Sequence, residues 1–496
     1  MYKAYFFFIL LMSSSIMVAQ PEISWTQNYG GSGTDKANSI KATPDGGYIL
    51  VGDTYSEDLD NTTHLGSADI LVMKLTEAGD IEWQRKYGGT NLDFGQDIIV
   101  TEDNSYILTG FSLSTDLGTE NNGFHDFIVM KLTKEGEVEW QNTYGGADYD
   151  YGRSIIQTSE GGYILVGSSY SKVQQITSFQ DILVIKLTND GEVEWQNYYG
   201  GSRTDTGERI YETADGGYIV GGTTSSSDGD VSILRSSSDY WIFKLSKDGD
   251  MLWEKTYGGG SGFNRLSDFF KTSDGGYVLA GKHGGKDYWI IKIDNIGNLD
   301  WQKSLGGSSE DIPSTVIQTR DQGYVVAGVT QSADGDISTF RGIHDIWLFK
   351  LDSRGVLLWE KTYGGSRSDN VESLVQLVDD SYIIAGSSDS LDGDVLENNG
   401  GLDYWVVKFL AEPSSTTESF TPIQTLLFPN PTSDIINLEI NEKTNYKILN
   451  INGQSILQGT LENHESTLNV RTLNEGSYML LLKSDSGNQI GKFVKK

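Results

Sequence analysis

Carboxylates dominate the chemistry open to this chain, and they recur at fixed places. One aspartate stands at Asp35, Asp93, Asp150, Asp205, Asp311 and Asp369, with Asn264 where a seventh would fall. A second stands at Asp69, Asp126, Asp181, Asp239, Asp287, Asp345 and Asp403, each opening an apolar run such as DILVMKL. A carboxylate at the head of a strand accepts backbone N–H groups and fixes the turn before it. Catalysis needs one asymmetric constellation, so acids present in every unit read first as builders. A narrower pattern is Asp228-Gly-Asp230, Asp334-Gly-Asp336 and Asp392-Gly-Asp394. Alternate carboxylates across a glycine offer the hard oxygens that Ca²⁺ takes, and calcium is the one cofactor the residues suggest. None of the three continues into a twelve-residue loop with a closing glutamate, so solvated turns are the stronger reading of the two.

Other chemistries find little support. His64, His125, His283, His344 and His464 show no metal spacing, which disfavours zinc. With no cysteine there is no thiol nucleophile, disulfide or sulfur-bound metal. GxSxG and phosphate-loop motifs are absent, and the glycine pairs follow Tyr or Leu at strand ends, where they turn the chain. A glycosidase needs two carboxylates about 5–10 Å apart. Asp268 and Glu310 are the least regular acids and the only weak candidates for that role. The formal charge is −32, from 37 basic and 69 acidic residues, which repels phosphate backbones and anionic lipid. Nucleic acid and membrane surfaces are therefore poor partners.

The elements that hold these residues are repeats. WQNTYGG begins at Trp140, and close copies begin at Trp25, Trp83, Trp195, Trp253, Trp301 and Trp359. A period of this size means a propeller or solenoid. Each unit carries four short β-rich segments punctuated by Gly, Asp or Asn, and none shows helical spacing. The expectation is all-β: a seven-bladed propeller of four-stranded antiparallel blades. The tryptophan strand is outermost, and Trp25 should lie beside residues 403–409 to close the ring and remove open sheet edges. Both aspartate sets then share one face with the long loops, and the opposite face has only tight turns. The fifth unit departs: its loop is clipped to GKHGGKDYW, and Arg265, Lys271, Lys282, His283 and Lys286 gather in an acidic chain. A groove with a local positive patch would follow, although simple drift in one repeat accounts for the same residues more readily.

The ends differ. Lys3, an apolar Ala4–Met12 and a milder Ser13–Ala19 have the anatomy of a secretory signal covering 1–19, too short to span a bilayer. No later stretch is long and apolar enough to cross one. The repeats fill 20–410, a polar linker follows over 411–424, and 425–496 has its own strand texture. The repeat order resembles kelch propellers and, more closely, the glycine- and aspartate-rich repeats of exported bacterial proteins. The tail carries Pro429-Asn430-Pro431, Asn452-Gly453, LNEGSYM with Gly476 and Tyr478, and a basic end. It is similar to the type A C-terminal sorting domain of the type IX secretion system of Bacteroidota. That resemblance implies an immunoglobulin-like sandwich, recognition by the secretion machinery, and release or attachment at the outer-membrane surface. The expected function is a secreted or surface-attached binding or scaffold protein, engaging a glycan or another protein through its loop face and without catalysis of its own. A glycosidase-like hydrolase and a calcium-stiffened adhesin stand as alternatives.

Overall fold

The computed structural model describes residues 20–59, 65–117, 123–172, 175–259, 262–412, 420–422, 429–438, 440, 442–449, 455–462, 467–484 and 487–496. The signal segment, His64, Gly453, His464 and most of the linker lie outside them. The chain divides into two compact units, Met1–Pro413 and Ser414–Lys496.

Among the described residues the first unit is seven four-stranded antiparallel sheets. Blade 1 takes Asp35–Ala42, Tyr48–Thr54, Asp69–Leu75 and Ile81–Tyr87 in spatial order. Its second and third strands, YILVGDT and DILVMKL, are buried along their whole length, because blades cover both faces. The fourth strand, IEWQRKY, is half exposed, as an outer strand must be. Blades 2 to 6 repeat this over 93–144, 150–199, 205–257, 265–305 and 311–363. First strands of successive blades touch around a common axis, with Asp369–Gln376 against Asp35–Ala42 completing the circle. Blade 7 has Asp369–Gln376, Tyr382–Ser388 and Asp403–Phe409, and its outer strand is Ile23–Tyr29. Trp25 pairs with Lys408 and Tyr29 with Tyr404, and Trp405 Nε1 donates to Thr26 Oγ1 at 2.6 Å.

The seven-residue motif is a set of contacts with the next blade. Trp25 packs on Tyr48 with centroids 6.2 Å apart and lies over Gly79, whose ideal Cβ would meet the indole at 3.2 Å. Gly79 has φ +91°, as its turn requires. The Tyr29 hydroxyl donates to the Gly79 carbonyl at 2.5 Å, and Tyr87, Tyr144, Tyr199 and Tyr257 make the same bond to Gly136, Gly191, Gly249 and Gly297.

A second regularity is invisible in composition. Every first strand carries a β-bulge, leaving Asn38, Gln96, Arg153, Glu208, Ser267, Ser314 and Glu372 unpaired. A bulge re-aims its side chain and often sits beside functional sites. Here it sets a ring of seven positions around the axis, and no single residue type fills it.

Among the described residues the second unit forms a five-stranded and a two-stranded sheet, the latter pairing Ile435–Asn437 with Thr467–Asn469. Between them Ile436, Ile448, Leu468, Val470, Leu480 and Phe493 are buried together.

Candidate functional site

The two aspartate sets do meet on one face, at the blade junctions. Asp35 Oδ2 accepts Gly31 N–H at 2.8 Å and Ser56 Oγ–H at 2.7 Å; Asp205, Asp311 and Asp369 take equivalent bonds and a further hydroxyl on Oδ1 at 2.5 Å. The second set closes the preceding loops: Asp345 accepts Arg341 N–H at 2.6 Å, and Asp403 accepts Asn399 N–H at 2.5 Å. The first glycine of each pair leaves room for both. An ideal Cβ on Gly30 would stand 2.3 Å from Asp403 Oδ1 and 2.7 Å from Asp35 Oδ2; on Gly145 it would stand 2.4 Å from Asp126 and 2.6 Å from Asp150. Asp35 and Asp403 are fully buried, and among the described residues neither Oδ1 has a hydrogen-bond donor. Burial raises Asp345 and Asp403 to about 6, and the neighbouring Asp369 and Asp35 charges add to it. At the fifth junction Asn264 replaces one acid and points Nδ2 at Asp239 Oδ1, 3.5 Å away.

The Asp-Gly-Asp residues brace the glycine-pair turn. Asp228 Oδ1 accepts Ser202 N–H at 2.7 Å and Asp230 Oδ2 accepts Gly200 N–H at 3.0 Å. Asp334 and Asp336 do the same for Ser308 and Gly306, and Asp392 and Asp394 for Ser366 and Gly364. The glycines between them have φ of +66°, +72° and +70°, so the three copies share one turn. Among the described residues no three His, Asp or Glu side chains group as a metal site would need.

Same-face aromatic residues, none of them foreseen as site residues, form a continuous array over blades 1 to 3. Phe94 and Phe111 stack at 4.8 Å, Phe111 stacks on His125 at 5.3 Å, and Tyr151 meets Phe111 edge-on at 5.1 Å. Tyr149 stacks on Phe124 at 4.8 Å and lies 6.3 Å from Tyr170, while Tyr55 extends the array to Phe94 at 6.5 Å. Phe124 is 52% exposed and Tyr55 42%; the rest are half-buried. Burial lowers the His125 pKa against the pull of Asp93. The signal was a departure from the repeat. The position after the first-strand aspartate holds Lys36, Thr206, Arg265, Ile312 and Asn370 elsewhere, but Phe94 and Tyr151 here.

The central channel holds acids at off-pattern positions, and the most buried of them are engaged. Toward the tight-turn face is a cavity of about 410 Å³, with Ile99, Ile156, Tyr211 and Phe270 around Asp97, Arg209 and Asp268. Asp268 Oδ1 accepts Arg209 Nε–H at 2.5 Å, and Oδ2 accepts Thr315 Oγ1–H at 3.0 Å. Asp97 Oδ1 accepts Ser39 Oγ–H at 2.9 Å and Lys41 Nζ–H at 3.2 Å. Burial alone would raise the Asp97 carboxyl, but Lys41 and Arg209 outweigh it and hold it low. Asp268 thus sits in an ion pair. Glu310, the other acid singled out, pairs with Lys282 at the loop face. Of the fifth-unit cations, Arg265 and Lys282 belong to the loop face, whereas Lys271 reaches the Glu212 carbonyl at the strand's other end. His283 packs against Trp289, and His344 Nδ1 lies 3.2 Å from Ser368 Oγ.

In the second unit the motif residues join the chain's basic end. Asn430 Oδ1 accepts Val494 N–H at 2.9 Å, and its Nδ2 donates to the Lys492 carbonyl at 3.1 Å. The Tyr478 hydroxyl donates to the Asn474 carbonyl at 2.9 Å, and its ring stacks on Phe493; Gly476 begins that strand.

Fold and site together define an exported β-propeller protein with a sorting tail. Residues 426–496 match the model of the secretion system C-terminal sorting domain, which directs the chain through the type IX secretion system to the cell surface or beyond. No curated protein matches the chain. Among solved structures it is similar to BBS1N in complex with ARL6DN, at 11% identity and TM-score 0.43, over 79% of this chain and 97% of that one. The extracellular domain of a putative hybrid two-component system from B. thetaiotaomicron gives 11% and 0.29, over 93% and 75%. A putative exo-β-1,3-galactanase from Bifidobacterium bifidum gives 14% and 0.30, over 51% and 85%. Among the described residues no helix is long and apolar enough to cross a membrane.

Proposed function

We propose that this exported propeller is a binding protein that docks glycan on the aromatic face of blades 1 to 3 and breaks no bond itself. The carrying observation is the eight-membered array from Tyr55 to Tyr170, with two rings well exposed. Ring faces present C–H-binding surface to a pyranose, and half-burial holds them ready at little entropic cost. Long loops and buried, hydrogen-bonded aspartates supply a rigid frame. A hydrolase is the second reading, favoured by one residue: Glu372, the solvent-reachable bulge residue of blade 7, whose carboxyl desolvation among the neighbouring strands pushes up to about 7 against Arg153, Lys36 and Arg265, the range of a general acid.

The test is retention on a panel of insoluble polysaccharides, scored together with release of new reducing ends. Tyr151→Ala and Phe111→Ala should each weaken retention about fivefold to tenfold, since a stacked ring contributes about 1 kcal/mol or more. Retention unchanged by both substitutions overturns the docking face. Reducing ends that disappear in Glu372→Gln replace the binder with the hydrolase.

A further inference from the structure

The aromatic face runs into a cationic groove, in a chain whose net charge is −32. Tyr151, a member of the array, also lines a cavity of about 390 Å³ shared by Arg153, Glu208, Phe263 and Arg265. Arg153 is the bulge residue of blade 3, so its backbone is released from pairing and its side chain is aimed at the axis. Its Nη1 donates to the neutral Gln96 Oε1 at 2.9 Å, and among the described residues no carboxylate lies within ion-pair distance of it. The Arg265 side chain is 65% exposed and 3.7 Å from Glu208 Oε1.

The acid among the residues lining this cavity, Glu208, is spanned by Arg265. The rim is cut low at the same place. Blade 5 joins its second and third strands through residues 284–286, whereas blade 4 uses residues 225–238. Phe263 stands 68% exposed at that edge. Aromatic rings, guanidinium groups and an open rim thus converge on one side of one face.

The geometry points to an anionic glycan as the ligand class: sugar rings stack on the array, and an acidic substituent is taken by Arg153 and Arg265. Guanidinium suits this role because its planar fork matches a carboxylate or a sulfate. The inference rests on the docking face proposed above and adds the charge of what docks.

The full mature chain is titrated with a polyuronate, the same polymer after carboxyl reduction, and a sulfated neutral polysaccharide, each at low and high salt. The polyuronate should bind about tenfold more tightly than its reduced form, and added salt should erase most of the difference. Arg153→Gln with Arg265→Gln should abolish the preference and leave binding of the reduced polymer intact, whereas Tyr151→Ala should weaken both. Tighter binding of the sulfated polymer names sulfate as the acid and keeps the inference. Equal binding of native and reduced polymer, or a preference that survives the double substitution, overturns it while leaving the aromatic face standing. Failure of every polymer to bind removes both.

Discussion

At the scale of the residue, the junction aspartates join two effects that work against each other. Two buried carboxylates share the space beside one glycine, and at Asp345 and Asp403 the carboxyl is held near 6. Such a group binds its proton more tightly folded than unfolded, so this source of stability is greatest below about pH 4 and is lost as pH rises through 6. Turn aspartates act in the other direction. The Thr101 hydroxyl at Asp103 and the Lys244 ammonium at Asp215 hold each carboxyl at about 2. Their contribution is present above about pH 4 and is lost as pH falls toward 2. Thermal midpoints measured across pH should therefore peak between about pH 4 and 6. Asp403→Asn should raise the midpoint at pH 7.5 by about 2 °C and flatten the slope between pH 5 and 7.5. At the fifth junction Asn264 makes the corresponding exchange in the other member of the pair, beside the retained Asp239. A lowered midpoint at pH 7.5, with the slope unchanged, would show that the pair is compensated by something other than protonation. The Asp-Gly-Asp carboxylates, engaged by backbone N–H groups, should leave the midpoint within about 1 °C when chelator replaces calcium. A larger drop would reinstate those loops as calcium sites.

At the scale of the element, the repeated motif is the part of the molecule that sequence spells out most fully. Strand order, the shared face of the aspartates and the closure at Trp25 were legible because each depends on period, punctuation and residue type. The candidate site was legible only in part. Phe94 and Phe111 face each other across one hairpin, but Tyr151 belongs to the next blade, and what brings it to Phe111 is the packing of neighbouring blades, which no local pattern encodes. The bulges were hidden for another reason. An extra residue inside a strand changes neither composition nor period, so Arg153 and Glu372 read as ordinary strand residues until pairing exposes them. The contacts of the motif also differ in weight, and this can be measured. Tyr199→Phe loses one buried hydrogen bond to Gly249 and should cost about 1 kcal/mol. Leu305 shows that a blade tolerates that loss. Gly249→Ala should cost more, about 2–3 kcal/mol, because φ is +87° and the new methyl would stand 2.5 Å from Asn197 Nδ2. Chemical denaturation of both variants checks the ranking, and equal costs would mean that the turn adapts.

At the scale of the whole molecule, the propeller is held by a joint between its two ends. With no cysteine, the ring cannot be locked by a disulfide. Its seventh blade has three strands from one end of the repeats and a fourth from the other, Ile23–Tyr29. Removing that strand would bare the edge of Asp403–Phe409 and strip the cover from Phe409 and Trp405, both now buried. It would also free the Gly79 turn from Trp25 and Tyr29, loosening blade 1. A chain lacking residues 20–33 should therefore aggregate or melt at least about 10 °C lower, since several buried side chains are uncovered together. The decisive variant moves that segment to follow residue 410 through a short flexible linker, so that the strand pairs where it did before. Its position in space is kept while its position in sequence changes, and strand pairing alone predicts recovery to within about 3 °C of the parent. Light scattering and calorimetry on the parent, truncated and permuted chains distinguish the outcomes. Recovery in the permuted chain assigns the loss to the open edge; no recovery would mean that the order of synthesis, with the outer strand emerging first, is itself needed to close the ring.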